Sequence, residues 1–241
     1  MLFDDGKEKT DSLQDKNRQS PGKVIPGEFY DKSYFSGDGG KSNWAANYDE
    51  ITFGPYFKNI AAFLTEGFPM ARTVLDVGCA KGLLVNGFHV VSKINEIPIA
   101  ARGFDVSKYA IENAQKDAKP YIQHASVDNF VFSQDYDFMV LLDVLEHLTE
   151  KQTEDFLTRS RPFINDSLFA QIPLPHSPGA YEEASHINIH PREWWHEIFI
   201  SCGWRQPWAA QQLEKYAKRE IVVMAAKWEP FIYQSGNWEY E

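Results

Sequence analysis

Residues 73–84 read TVLDVGCAKGLL, and this short stretch decides how the rest of the chain is parsed. Thr73–Val77 is an apolar run short enough for a buried strand. The glycines at 78 and 82 let the chain turn sharply, and Leu83 to Val91 has the spacing of a helix. The same alternation recurs outward from it. Ala100–Val106 (AARGFDV) reads as a strand and Lys108–Ala118 as a helix, then Tyr121–Val127 as a weaker strand and Phe138–Leu142 (FMVLL) as a strong one. A helix over Thr149–Phe163, a strand at Ser167–Ile172, a helix at Arg192–Cys202 and a last strand at Ile221–Ala226 complete the series. On the N-terminal side, Phe57–Phe68 places Ile60, Ala61, Phe63 and Leu64 on one helical face, stopped by Gly67 and Pro69. Strands alternating with helices of this length imply βαβ units and a mostly parallel sheet with helices on both faces, the doubly wound α/β class.

Composition narrows the functions such a sheet can serve. The chain has 241 residues, 43% hydrophobic and 15% aromatic, ample for a packed core. Acids outnumber bases by 34 to 24, a formal charge of -10, so its field repels nucleic acid and anionic lipid, and neither is an expected partner. Two cysteines, Cys79 and Cys202, lie outside any zinc or disulfide spacing, which fits a reducing, cytoplasmic setting. No run of about 18 apolar residues and no apolar leader stretch occurs, so the chain reads as untargeted, a monomer or homodimer. Residues 1–22 offer little to bury and read as a disordered tail; 23–70 as an aromatic lid or docking segment with a helix; 71–241 as the main domain.

In a doubly wound sheet the first strand-to-helix turn normally binds the ligand. A dinucleotide GxGxxG would need glycines at 78, 80 and 83, where Ala80 and Leu83 stand. A Walker loop would need Ser or Thr after GK. Gly40-Lys41-Ser42 ends like one, but Phe35 replaces its first glycine and no apolar strand precedes it. VLDVGCAKG instead resembles motif I of the class I S-adenosylmethionine (SAM)-dependent methyltransferases, with Ala80 for the middle glycine. FMVLLDVLEHL, residues 138–148, resembles the fourth-strand motif of the small-molecule branch labelled type 11 or type 12. The resemblance implies a seven-stranded Rossmann-like sheet holding SAM and releasing S-adenosylhomocysteine (SAH). By it, Asp76 holds the cofactor's amino-acid end, and Gly78, Cys79, Ala80 and Gly82 lie along the cofactor. Asp105 with Val106 meets the ribose, Asp128 with Asn129 the adenine, and Asp143, Val144 and Leu145 lie near the cofactor after the fourth strand.

An acceptor hydroxyl or amine would need a base. The segment 172–195, IPLPHSPGAYEEASHINIHPREWW, contains a substrate loop at about 173–192, with His176, His186 and His190 beside Glu182 and Glu183. His186 is the favoured base and His190 the second. Tyr34, Trp44, Tyr48, His147, His176 and Trp194 are the candidate acceptor contacts, with the aromatic segment either a lid or a docking element. Asp143, Glu146 and His147 have a spacing that can hold a metal, but an acid there is more often an N-cap beside an exposed first turn, no second ligand cluster appears in the sequence, and no metal is expected. The expected reaction is methyl transfer to oxygen or nitrogen of a small molecule such as a natural product or sugar. A peptide, protein or glycan acceptor, a nicotinamide-dependent oxidoreductase and a non-catalytic SAM-binding protein are the alternatives.

Overall fold

The computed structural model describes residues 23–36, 41–42, 47–223 and 229–236. In chain order the elements are α1 (Lys32–Phe35), α2 (Glu50–Gly67), β1 (Thr73–Val77), α3 (Leu83–Asn95), β2 (Ala100–Asp105), α4 (Lys108–Glu112), β3 (Ile122–His124), β4 (Tyr136–Leu142), α5 (Glu150–Ser160), β5 (Ile164–Ile172), α6 (Arg192–Ser201), α7 (Trp208–Val223) and β6 (Glu229–Gln234). The sheet order is β3-β2-β1-β4-β5-β6, with all neighbours parallel except β6, which runs antiparallel to β5. The doubly wound α/β reading therefore holds.

The strands alternate between two cores because successive side chains point to opposite faces. Val74, Phe138, Val140, Phe169 and Ile232 pack on one face with Ile60, Leu64 and Phe88 of α2 and α3. Leu75, Val77, Met139, Leu141, Leu168, Phe231 and Tyr233 pack on the other with Phe156, Trp195 and Phe199 of α5 and α6. The reversal of strand order between β1 and β4 opens a crevice beyond their carboxyl ends, where ligands of such sheets bind.

The described residues correct the strand count and the last strand. Six strands are present, not seven; beyond β6 the pairing is a single bridge between Arg205 and Gln234. Of the strand read at Ile221–Ala226, residues 221–223 are the end of α7, which begins at Trp208, and 224–226 lie outside the described residues. The antiparallel strand is Glu229–Gln234. Other boundaries moved for local reasons. Asp49 caps α2 by accepting from Thr52 N, so the helix begins at Glu50, seven residues before the start read from periodicity. Past Asn113, Gln115 Oε1 accepts from the backbone of Asp117 and Ala118, an alternative to helix that ends α4 early. No helix among the described residues is long and apolar enough to cross a membrane.

Candidate active site

The glycine turn is fixed by contacts only small residues allow. Gly78 has φ +70°, and a Cβ on it would lie 2.6 Å from Val144 Cγ2; Gly82 has φ +78° and opens α3 without a side-chain cap. Ala80 stands at φ +48°, a conformation L-residues avoid. Its N–H donates to Asp105 Oδ2 at 2.7 Å, which pins the turn to the end of β2, while Ser107 N donates to Asp105 Oδ1 at 2.7 Å.

Beside this turn lies a cavity of about 350 Å³ bounded by the ends of β1, β2 and β4 and by the N-terminal segment. Its described wall includes Asp76, Asp105, Asp128, Asp143 and Glu183, and neither Lys nor Arg. Asp76 is 3% exposed, and no donor among the described residues reaches its carboxylate. Burial, and then the charge of Asp105, pushes Asp76 well above the usual carboxylate range. Burial likewise raises Asp105, against the two backbone N–H bonds that lower it. Asp143 has φ +58°, accepts from Gln171 Nε2 at 3.2 Å, and is pushed up by burial and then by the Glu183 charge. It caps no helix; the 3-10 turn Leu145–His147 follows instead. Asp128 accepts from Gln152 Nε2 at 2.8 Å. Cys79 lies on the wall, and burial holds its thiol protonated by raising its pKa well above the ordinary value.

The aromatic segment is both docking element and cavity wall. Tyr30, Tyr34, Phe35 and Tyr48 are buried and face the cavity. Ser107 Oγ donates to Tyr30 O, Tyr48 N donates to Phe35 O at 2.9 Å, and Phe35 stacks on Tyr109. Tyr34 Oη donates to Glu183 Oε1 at 2.7 Å, joining this segment to the loop after β5. Trp44 lies outside the described residues, as does the stretch 1–22.

The loop after β5 folds back on the turn after β4. Ile187 N and Asn188 N both donate to Glu146 O, and Asn188 Nδ2 donates to Leu145 O. This brings His186 beside His147, with ring centroids 4.9 Å apart. His147, not His186, is on the cavity wall; burial, then His186, lowers its pKa to about 4. His186 lies behind it, its side chain fully enclosed, with Nδ1 2.8 Å from Ala180 O. Burial raises Glu183, but His147, His186, Ser185 and Tyr34 outweigh it and hold that carboxyl below its ordinary value.

Other candidates sit elsewhere. His190 stacks on Trp194 at 3.7 Å and contacts Glu150 Oε1 at 3.1 Å, away from the cavity wall. His176 is exposed and off the wall. Asn129 caps Ser126 N, and Leu145 is wholly buried in the core. Sequence reasoning missed Tyr56 and Gln152 on the wall. Gln152 was signalled by the capping box Thr149-Glu150-Lys151-Gln152, whose N3 residue reaches back to the cap.

A family model described as a methyltransferase domain matches residues 48–219. None of the curated protein sequences compared matches the chain. Among solved structures, a SAM-dependent methyltransferase from Archaeoglobus fulgidus is 15% identical, covering 78% of this chain and 100% of that one, at a TM-score of 0.52. The plantazolicin methyltransferase BpumL, solved with a monoazolic substrate analogue and SAH, is 16% identical over 78% of this chain and 86% of that one, at 0.56. Magnesium protoporphyrin IX methyltransferase from Synechocystis PCC 6803, with bound SAH, is 16% identical over 73% and 86%, at 0.52. The sheet order makes the fold Rossmann-like α/β. The chain belongs to the methyltransferase domain family and is a class I, SAM-dependent methyltransferase.

Proposed function

We propose that the cavity beyond β1, β2 and β4 holds SAM and a small-molecule acceptor, and that the methyl group passes to a hydroxyl or amine of that acceptor. The observation that carries this reading is the charge of the wall: five acids and, among its described residues, no Lys or Arg. SAM bears a sulfonium and an ammonium against one carboxylate, a net cation, and suits such a wall. The pyrophosphate of a nicotinamide cofactor would meet repulsion and no paired base. Asp76 takes the ammonium, Asp105 the ribose hydroxyls through its remaining lone pairs, and Asp128 the adenine amino group. Gly78 keeps the backbone close to the cofactor.

Transfer is an in-line displacement. The acceptor's lone pair forms the new bond to the methyl carbon as the carbon–sulfur bond breaks, leaving neutral SAH and a proton to be released from the acceptor. The chain's task is alignment and exclusion of water, which the buried tyrosines support. The acceptor lies against Tyr34, His147 and Glu183, and Glu183 Oε2, on a carboxyl held below its ordinary value, receives the proton, with His186 positioning His147 instead of touching substrate. His190 takes no part in this reading.

The test is SAH release from SAM over a panel of hydroxylated, amino and peptide acceptors. Turnover with a small-molecule hydroxyl or amine is expected, and Glu183→Gln should lower it by about 100-fold with little change in SAM affinity. Turnover confined to peptides would overturn the acceptor class. Wild-type rates in Glu183→Gln would overturn the acceptor's placement.

A further inference from the structure

The turn after β4 and the loop after β5 bring together three groups that sequence spacing does not unite. Glu146, His147 and His186 each offer one ligand atom, and these atoms lie within 4.8 Å of one another. Asp143, which shares a helical spacing with the first two, is held to Gln171 and stands outside the group.

Glu146 is the anomaly. It is 0% exposed, and among the described residues neither carboxylate oxygen has a hydrogen-bond partner. A buried carboxylate without donors is costly unless a proton or a cation is attached. The histidines show which of the two the site is built for. His186 Nδ1 lies 2.8 Å from Ala180 O and His147 Nδ1 3.2 Å from Ser185 O. A carbonyl only accepts, so each Nδ1 carries the hydrogen and each Nε2 of a neutral ring carries the lone pair. Anchoring one ring nitrogen to a backbone carbonyl is how metal-binding histidines are oriented. Glu183 Oε2, 3.8 Å from His186 Nε2, adds a further anionic oxygen nearby.

We infer that Glu146, His147 and His186 bind one first-row transition-metal dication such as zinc, cobalt or manganese. Two imidazoles and a carboxylate favour such ions over magnesium or calcium, which prefer oxygen. Ligands about 2.0–2.1 Å from a tetrahedral metal stand about 3.4 Å apart, so binding draws the three groups inward by roughly an ångström. Of the three, His147 also lines the cavity, so the metal would stand next to the space where the acceptor is proposed to lie. The binding claim itself does not depend on that placement.

The experiment is titration of chelator-treated protein with Co2+, followed by visible absorption, and with Zn2+ by calorimetry, with Mg2+ as control. One equivalent should bind with micromolar or tighter affinity for Zn2+ and Co2+ and not for Mg2+. Glu146→Gln and His186→Gln should each weaken it more than about 100-fold, since altering mere outer partners of ligands already costs 10–100-fold. Circular dichroism and SAH binding report whether each variant is folded. Absence of one-equivalent binding in the wild type, or binding that survives both substitutions, would overturn the site. Should a variant unfold, X-ray absorption of the zinc-loaded wild type decides: two imidazoles with oxygen donors support the assignment, and any set with fewer than two overturns it. Because cobalt and zinc are read without SAM or acceptor, failure here leaves the methyltransferase reading untouched.

Discussion

Asp105 does two jobs with one carboxylate. Through Oδ2 it holds Ala80 N, and with it the left-handed turn of the glycine loop, while its remaining lone pairs face the cavity. Asp105→Ala should therefore weaken SAM binding by about 1–3 kcal/mol, the range for lost charge-assisted bonds, measured calorimetrically; unchanged affinity would remove the ribose assignment. Gly78→Ala places a Cβ 2.6 Å from Val144 Cγ2 in a positive-φ residue, and should destabilise by about 1–3 kcal/mol, seen as a lowered Tm. These residues were legible in the sequence because each stands in a short local motif, the glycine turn after β1 and the acid that ends β2, although the bond between them spans 25 residues. The pairing of Glu146 with His186 was not, since it depends on how a loop some forty residues away folds back.

The loop after β5 was recognised by its histidines, but its order comes from asparagine and backbone. Asn188 Nδ2 is shared between Leu145 O and Thr153 Oγ1 at 3.1 and 3.2 Å, in a fully buried setting. Asn188→Ala leaves those acceptors unpaired and should cost about 1–3 kcal/mol in denaturant unfolding, loosening Glu183 and His147 as well. A loss below a few tenths would show that the loop is held otherwise. Strands β1, β4 and β5 were legible because each is a short run buried on both faces, whereas β3, with Gln123 and His124 exposed, gave a weak signal. Helix α7 was not legible, because its buried face rests on small residues such as Ala210 and Ala217, and much of the rest is polar. It is held at its middle by Glu214, which accepts from Ile232 N at 2.9 Å and pairs with Arg192 at 2.7 Å. Among the described residues, the expectation of a seventh strand fails because the pairing beyond β6 is one isolated bridge, from Arg205 to Gln234.

Across the whole molecule, buried acids set a pH dependence. Asp76 binds its proton more tightly folded than unfolded, so unfolding releases it. Its contribution to stability is present below its unfolded pKa of about 4, is lost as pH rises above that, and is gone once pH passes the raised folded value. Without cofactor, the wild type should lose more stability between pH 5 and pH 8 than Asp76→Asn does, in parallel thermal melts. An equal or smaller loss in the wild type would contradict the account of Asp76. A cationic cofactor should offset that loss, adding about 2.7 kcal/mol at a hundredfold excess over Kd. The direct test of an acid-walled SAM cavity is calorimetric titration with SAM, SAH and NADH. Micromolar binding of SAM and SAH, abolished or much weakened by Asp76→Asn, with none of NADH, is the predicted result; NADH binding without SAM binding would contradict it.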